Sequence, residues 1–168
     1  MTTILQYPDT PCSYPSALGA NVTTAIGNTP KILAAFRNEA PIDSLRALLQ
    51  RIDFAPITPS ADTLITIQLV DGNGTATGGT WVPIGGPSLL DINKTMTGYT
   101  GGTVAITMYA YGSASHGNSP PSAPLLDMQT DNFGLSLYKG KQFALIASTQ
   151  TVGATVSLAW AVNWLEKD

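Results

Sequence analysis

The chain has 168 residues, 11% of them charged and 43% apolar, and a formal net charge of −3. That length fits one domain, or one domain with an ordered arm, and so apolar a composition excludes disorder driven by charge. Without a run of Lys or Arg the chain lacks the counterion-releasing surface that nucleic-acid binding requires. No apolar stretch approaches the roughly 18 residues that span a bilayer, and the N-terminus lacks the basic patch and apolar run of a signal peptide, so no membrane partner is expected. The single cysteine, Cys12, can form no intramolecular disulfide and implies no oxidising compartment. A surface so poor in charge is tolerable where neighbouring subunits cover part of it.

Residues 1–28 mix short apolar pieces with Pro8, Pro11, Pro15, Gly19 and Gly27 and hold neither a two-residue nor a 3.6-residue period. They read as an extended arm, ordered by lying along its own domain or a neighbour, with Tyr7 and Tyr14 as its candidate contact residues. Thr29 as an N-cap and Pro30 at the first helical position, with Ile32, Leu33 and Phe36 on one face, predict a short helix; a strand over 31–36 is the alternative. After Pro41, Ile42, Leu45, Leu48, Leu49 and Ile52 recur at three- and four-residue steps and predict a second helix, which Pro56 and Pro59 stop. The arm with its helical segment is thus taken as 1–59, and a β-sandwich domain as 60–168.

From Thr63 the period becomes two. Ile65, Ile67 and Leu69 alternate with Thr66 and Gln68, and Asp71-Gly72-Asn73-Gly74 supplies turn residues, so a hairpin is expected with a return strand carrying Trp81, Val82 and Ile84. A short strand over 89–94 follows. In 103–111, Val104, Ile106 and Met108 face one way and Thr107, Tyr109 and Tyr111 the other. Residues 112–124 read as a long surface loop with the lone His116. A second hairpin joins Phe133, Leu135 and Leu137 through Lys139-Gly140-Lys141 to 142–149. Last come Val156, Leu158, Trp160, Val162 and Trp164 on one face, with Ser157, Ala159, Ala161 and Asn163 on the other. The whole predicts an antiparallel β-sandwich, mainly β, of jelly-roll type, with an N-terminal arm and one or two short helices.

The side chains available for chemistry are few. One His and one Cys make neither a nucleophile with its base nor a zinc site, and no cofactor loop is present. Asp71 and Asn73 resemble part of a calcium loop but lack its later acidic ligands, and turn chemistry accounts for them. Asp91, Asp127 and Asp131 could converge as a carboxylate pair, yet each flanks a strand or turn where Asp binds backbone. Lys31, Arg37, Arg46 and Arg51 are interleaved with Glu39, Asp43 and Asp53, the pattern of a solvated polar face rather than a phosphate site. Trp81, Tyr99, Tyr109 and Tyr111 could stack on sugar faces. The small, uncharged pair Ala159 and Ala161 lies either under the N-terminal helix or arm, or in a subunit interface.

A Pro-rich arm, a short helical element and a Thr/Gly-rich, charge-poor sandwich ending in Thr155-Val156-Ser157-Leu158-Ala159-Trp160-Ala161-Val162 resemble the small virion proteins of tailed bacteriophages, particularly capsid cement or decoration proteins. The resemblance implies a non-enzymatic protein of the virion, assembled in the host cytoplasm as a dimer or trimer. Its arm would reach across subunits of a major capsid protein. Ala159, Ala161, Tyr109 and Tyr111 are the interface candidates on the domain. The alternative is a tail- or fibre-associated module that binds a receptor glycan through the 112–124 loop together with Tyr109 and Tyr111.

Overall fold

The computed structural model describes residues 16–40, 46–85, 88–114 and 135–167. Tyr7, Cys12, Tyr14, Asp43, His116, Asp127 and Asp131 lie outside them. The described residues form strands and connecting turns, with no helix. In chain order the strands are β1 (Ser16–Ile26), β2 (Lys31–Asn38), β3 (Arg46–Ile57), β4 (Thr63–Val70), β5 (Gly74–Thr77), β6 (Val82–Pro83), β7 (Leu90–Asn93), β8 (Gly98–Gly101), β9 (Val104–Gly112), β10 (Ser136–Tyr138), β11 (Gln142–Thr149) and β12 (Val156–Lys167).

Two antiparallel sheets carry the core. One has the order β1-β12-β3-β10, the other β6-β7-β2-β11-β4-β9, and β5 and β8 form a separate two-stranded ribbon. The pairs β1:β12, β2:β11, β3:β10 and β4:β9 are nested, so the first four strands meet the last four in reverse order. The sheets face each other: Phe36 of β2 packs edge-on to Trp160 of β12 at 6.5 Å between centroids and, tilted, onto Trp164 at 5.6 Å. Ile65, Ile67, Leu69 and Leu145 from one sheet and Ile52, Leu137, Leu158 and Val162 from the other fill the space between, each wholly buried. Burying side chains of this kind contributes about 1.5–3 kcal/mol apiece.

Where their residues are described, both expected helices are strands, and the reason lies in β-bulges. Opposite β12, Arg51 pairs with Asn163 and Leu49 with Trp164, so Gln50 is an extra residue in β3. The buried positions therefore run Ala47, Leu49, then Ile52, Phe54 and Pro56. One three-residue step inside a two-residue alternation imitates a helical period. In β2 the extra residue is Leu33, between Ile32 and Ala34, which pair with Ile146 and Leu145. The strand is also covered on both faces, which turns its alternation into the continuous buried run Leu33–Ala34–Ala35–Phe36.

Neither expected hairpin forms. The strand after Asp71–Gly74 pairs not with β4 but with β8, and Val82–Pro83 pairs with β7, while β4 takes β11 and β9 as neighbours. Lys139–Lys141 does turn, with the Lys141 N–H donating to the Tyr138 carbonyl at 3.0 Å and Gly140 at φ +71°. It passes the chain from one sheet to the other, however, because Leu137 pairs with Ala47 and Phe143 with Phe36. The described part of the arm, Ser16–Ile26, is the edge strand β1, and β1 to β3 belong to the same two sheets as the later strands.

The β5–β8 ribbon lies across one end of the larger sheet's outer face. There Ala35 and Ala144, which point away from the shared core, are nonetheless fully buried. Asn93 of β7 holds the ribbon's end: its Nδ2 donates to the Gly78 carbonyl at 3.0 Å, and its Oδ1 accepts from the Thr95 N–H at 3.0 Å. At the opposite end of the core the buried Glu166 carboxylate accepts from the Leu89 N–H at 2.9 Å and from the Ser88 hydroxyl, which ties the segment before β7 to the end of β12.

Candidate functional site

The four interface candidates among the described residues fall on two different surfaces. Ala159 and Ala161 lie on the outer face of the smaller sheet, each half-buried between its neighbours β1 and β3. Register places Val22 beside Ala159 and Ala55 on its other side, with Ala20 and Asp53 flanking Ala161 in the same way. Ile57, 39% exposed, and Val22, 50% exposed, extend the row. Among the described residues the charges beside it are Arg51 and Asp53, joined at 2.7 Å. Neither helix nor arm covers this face among the described residues; β1 lies beside β12 rather than over it.

Tyr109 and Tyr111 stand on the outer face of the larger sheet, along edge strand β9, both 55% exposed. Thr66 and Leu64 of β4 lie directly beside them. The Tyr111 hydroxyl donates to Asp62 at 3.1 Å, and the same carboxylate accepts from the Ser113 hydroxyl at 3.0 Å and the Ala114 N–H at 2.8 Å. That bond to Asp62 is the first cause of a phenol held above its ordinary pKa. The other two aromatics of the expected platform are elsewhere. Trp81 precedes β6, at the far edge of the same sheet, and carries the Arg37 guanidinium over its ring at 4.6 Å.

Tyr99 belongs to the β5–β8 ribbon and is half-buried beneath it. Its hydroxyl donates to the Gln142 carbonyl at 2.8 Å, with the Asp71 carbonyl at 3.3 Å. Burial, and after it the Asp71 charge, push this phenol from 10.0 to about 12, partly offset by a hydrogen bond from the Gly74 backbone. The unfolded chain releases the proton near pH 10 while the folded chain holds it to about 12, so the stability Tyr99 contributes is complete below pH 10 and lost as pH rises between those values. Solvent screening of a group half in water leaves an effect of about 1 kcal/mol. In an alkaline titration followed by phenolate absorbance, a step near pH 12 is expected, and it should vanish in Tyr99→Phe.

The charged candidates are engaged locally. Arg37 binds Asp91 at 2.7 Å and Glu39 at 3.0 Å. The Lys141 ammonium donates to Asn73 Oδ1 at 2.9 Å, which puts a cation where the calcium-loop resemblance would need one of its ligands. The Asp71 carboxylate accepts from the Asn73 N–H at 3.2 Å, as turn chemistry requires. These residues border a shallow polar cleft of about 180 Å³ with Tyr138 and Phe143. Among the described residues no three of His, Cys, Asp and Glu come together.

Sequence reasoning did not find the lysine contacts on β1. Lys94 donates to the Ala20 carbonyl at 2.9 Å and Lys31 to the Thr24 carbonyl at 2.7 Å, each reaching from the larger sheet to the edge of the smaller. No signal at either position marks them, because the two partners lie 74 and 7 residues away in the chain. No protein-family model matches the chain, and a search of curated proteins finds no match.

Proposed function

We propose that this chain is a non-enzymatic structural protein of a virion, a cement or decoration protein that binds a shell of major capsid protein through an exposed sheet face. The observation that carries this reading is the outer face of the β1-β12-β3 sheet, where Val22, Ala159, Ala55, Ala20, Ala161 and Ile57 form an apolar row whose neighbouring charges, Arg51 and Asp53, are paired with each other. Natural sheets exposed to water carry charges there that block association. An exposed apolar face with so few charges suits packing on a neighbour, and repetition over a shell multiplies a weak contact into firm attachment. The nested strand pairs and the alternation of the chain between sheets support a jelly-roll sandwich, elaborated by β5 to β8. That architecture recurs in viral capsid and lectin domains, so it accommodates this reading without selecting it.

A second reading, a receptor-glycan module, is favoured by Tyr109 and Tyr111, which are exposed side by side and bordered by Thr66. Co-sedimentation with shells of the major capsid protein encoded by the same genome separates the two. Saturable binding by the wild-type chain, weakened at least about tenfold by Ala159→Glu with Ala161→Glu, is the expected result, since two buried unpaired charges cost several kcal/mol. Failure of the wild type to bind any such shell, together with glycan-array binding lost in Tyr109→Ala, would transfer the function to the other face.

A further inference from the structure

Of the four edges of the two core sheets, that of β9 is the least protected. β10 and β6 are only three and two residues long, and β6 contains Pro83. Lysines bind two carbonyls of β1. β9 has none of these devices: Val104–Gly112 contains no charged residue and no proline, and among the described residues no strand pairs with its outer side. An open, uncharged edge is a template for an added strand.

We infer that β9 pairs antiparallel with β9 of a second copy, about a two-fold axis at Tyr109, and joins two larger sheets into one. The occupant follows from the strand's own sequence. Opposite β4, Ile106 pairs with Leu69 and Val104 with Val70, so Ala105 is a bulge that ends the regular edge and leaves Ile106–Gly112 as the run available to a partner. Its midpoint is Tyr109, and only the register centred there pairs all seven residues with themselves in reverse. In that register Ile106 meets Gly112 of the second copy, and Met108 meets Ala110, both on the core side. Thr107 meets Tyr111 on the outer side. Each large side chain faces a small one, apart from Tyr109, which meets its own copy as an aromatic cross-strand pair. A one-residue slip would set core-facing against outward-facing positions. The Tyr111 hydroxyl is bonded to Asp62, which leads into β4, the neighbour of β9 on its inner side.

Dimerisation in solution needs no shell, so the pairing stands on the edge geometry and not on the virion reading. Light scattering behind size exclusion on the full chain should give twice the 17.6 kDa monomer mass across a concentration series. Tyr109→Lys sets two ammonium groups opposite each other across the axis and should return the chain to monomer with an unchanged circular dichroism spectrum, whereas Ala161→Lys on the other sheet should leave the dimer intact. Tyr109→Cys in a Cys12→Ser background should be captured as a covalent dimer by a short bismaleimide linker. A monomeric wild type, a dimer that survives Tyr109→Lys, or a Tyr109→Cys chain that stays uncrosslinked would each overturn it.

Discussion

Trp164→Ala is expected to destabilise the fold by about 3–5 kcal/mol, the range for emptying a large aromatic site in a packed core. Trp164 is 0% exposed and sits in the central strand β12, with Phe36 at 5.6 Å and Phe143 at 5.7 Å between ring centroids. Both neighbours come from the opposite sheet, so the indole is a main contact between the layers. Removing it leaves a cavity that the β-strand backbones, tied on both sides by β1 and β3, cannot close. Domains of this kind are stable by roughly 5–15 kcal/mol, so the variant would lose a large share of the total. Trp164→Phe should cost far less, because the buried Nε1–H has no partner among the described residues and its removal relieves an unmet donor. Trp160→Phe, by contrast, discards a hydrogen bond to Thr23 Oγ1 at 3.0 Å. Urea unfolding of the three variants tests this, and a Trp164→Ala chain within about 1 kcal/mol of wild type, the cost of an average substitution, would show that the sheets are not held together here.

Gly79→Ala is expected to detach the β5–β8 ribbon at a cost of about 2–4 kcal/mol, and the size of the effect depends on what surrounds the glycine rather than on its backbone angle alone. Gly79 has φ +68°, and a Cβ there would lie 2.5 Å from Asn93 Oδ1 and 2.6 Å from the backbone of Thr95 and Met96. Backbone cannot step aside as the end of a side chain can. Gly140 has nearly the same angle, φ +71°, with nothing within 4 Å of the added atom. Gly140→Ala should therefore incur only the left-handed penalty of about 1 kcal/mol. Hydrogen exchange read residue by residue should show β5 and β8 losing protection in Gly79→Ala while β4, β11 and β12 keep theirs. Equal losses in the two variants would mean that the angle dominates and the Asn93 clasp does not.

The alternation of the last strand could be read directly from the chain. Val156 to Trp164 faces the core and Ser157 to Asn163 faces out, as a two-residue period dictates, and β9 shows the same legibility in Met108 and Tyr109. The candidate surfaces were legible to the same extent. Ala159 and Ala161 lie on an outer face, and Tyr109 and Tyr111 share one, but which neighbours complete each face depends on register across β1, β3 and β4.

By itself, then, the sequence determined that the chain is mainly β, which side of its regular strands is buried, and that its surface carries few charges. Those properties follow from composition and from the two-residue period, both local. Tertiary structure alone decided that 31–38 and 46–57 are strands, because the extra residues Leu33 and Gln50 break the local period and only pairing with β11 and β12 restores it. It also decided the nested pairing and the dispersal of the four aromatics to three places. A turn residue permits a change of direction, but which strand lies alongside is settled by burial of both sheets against each other, a property no short stretch of chain contains.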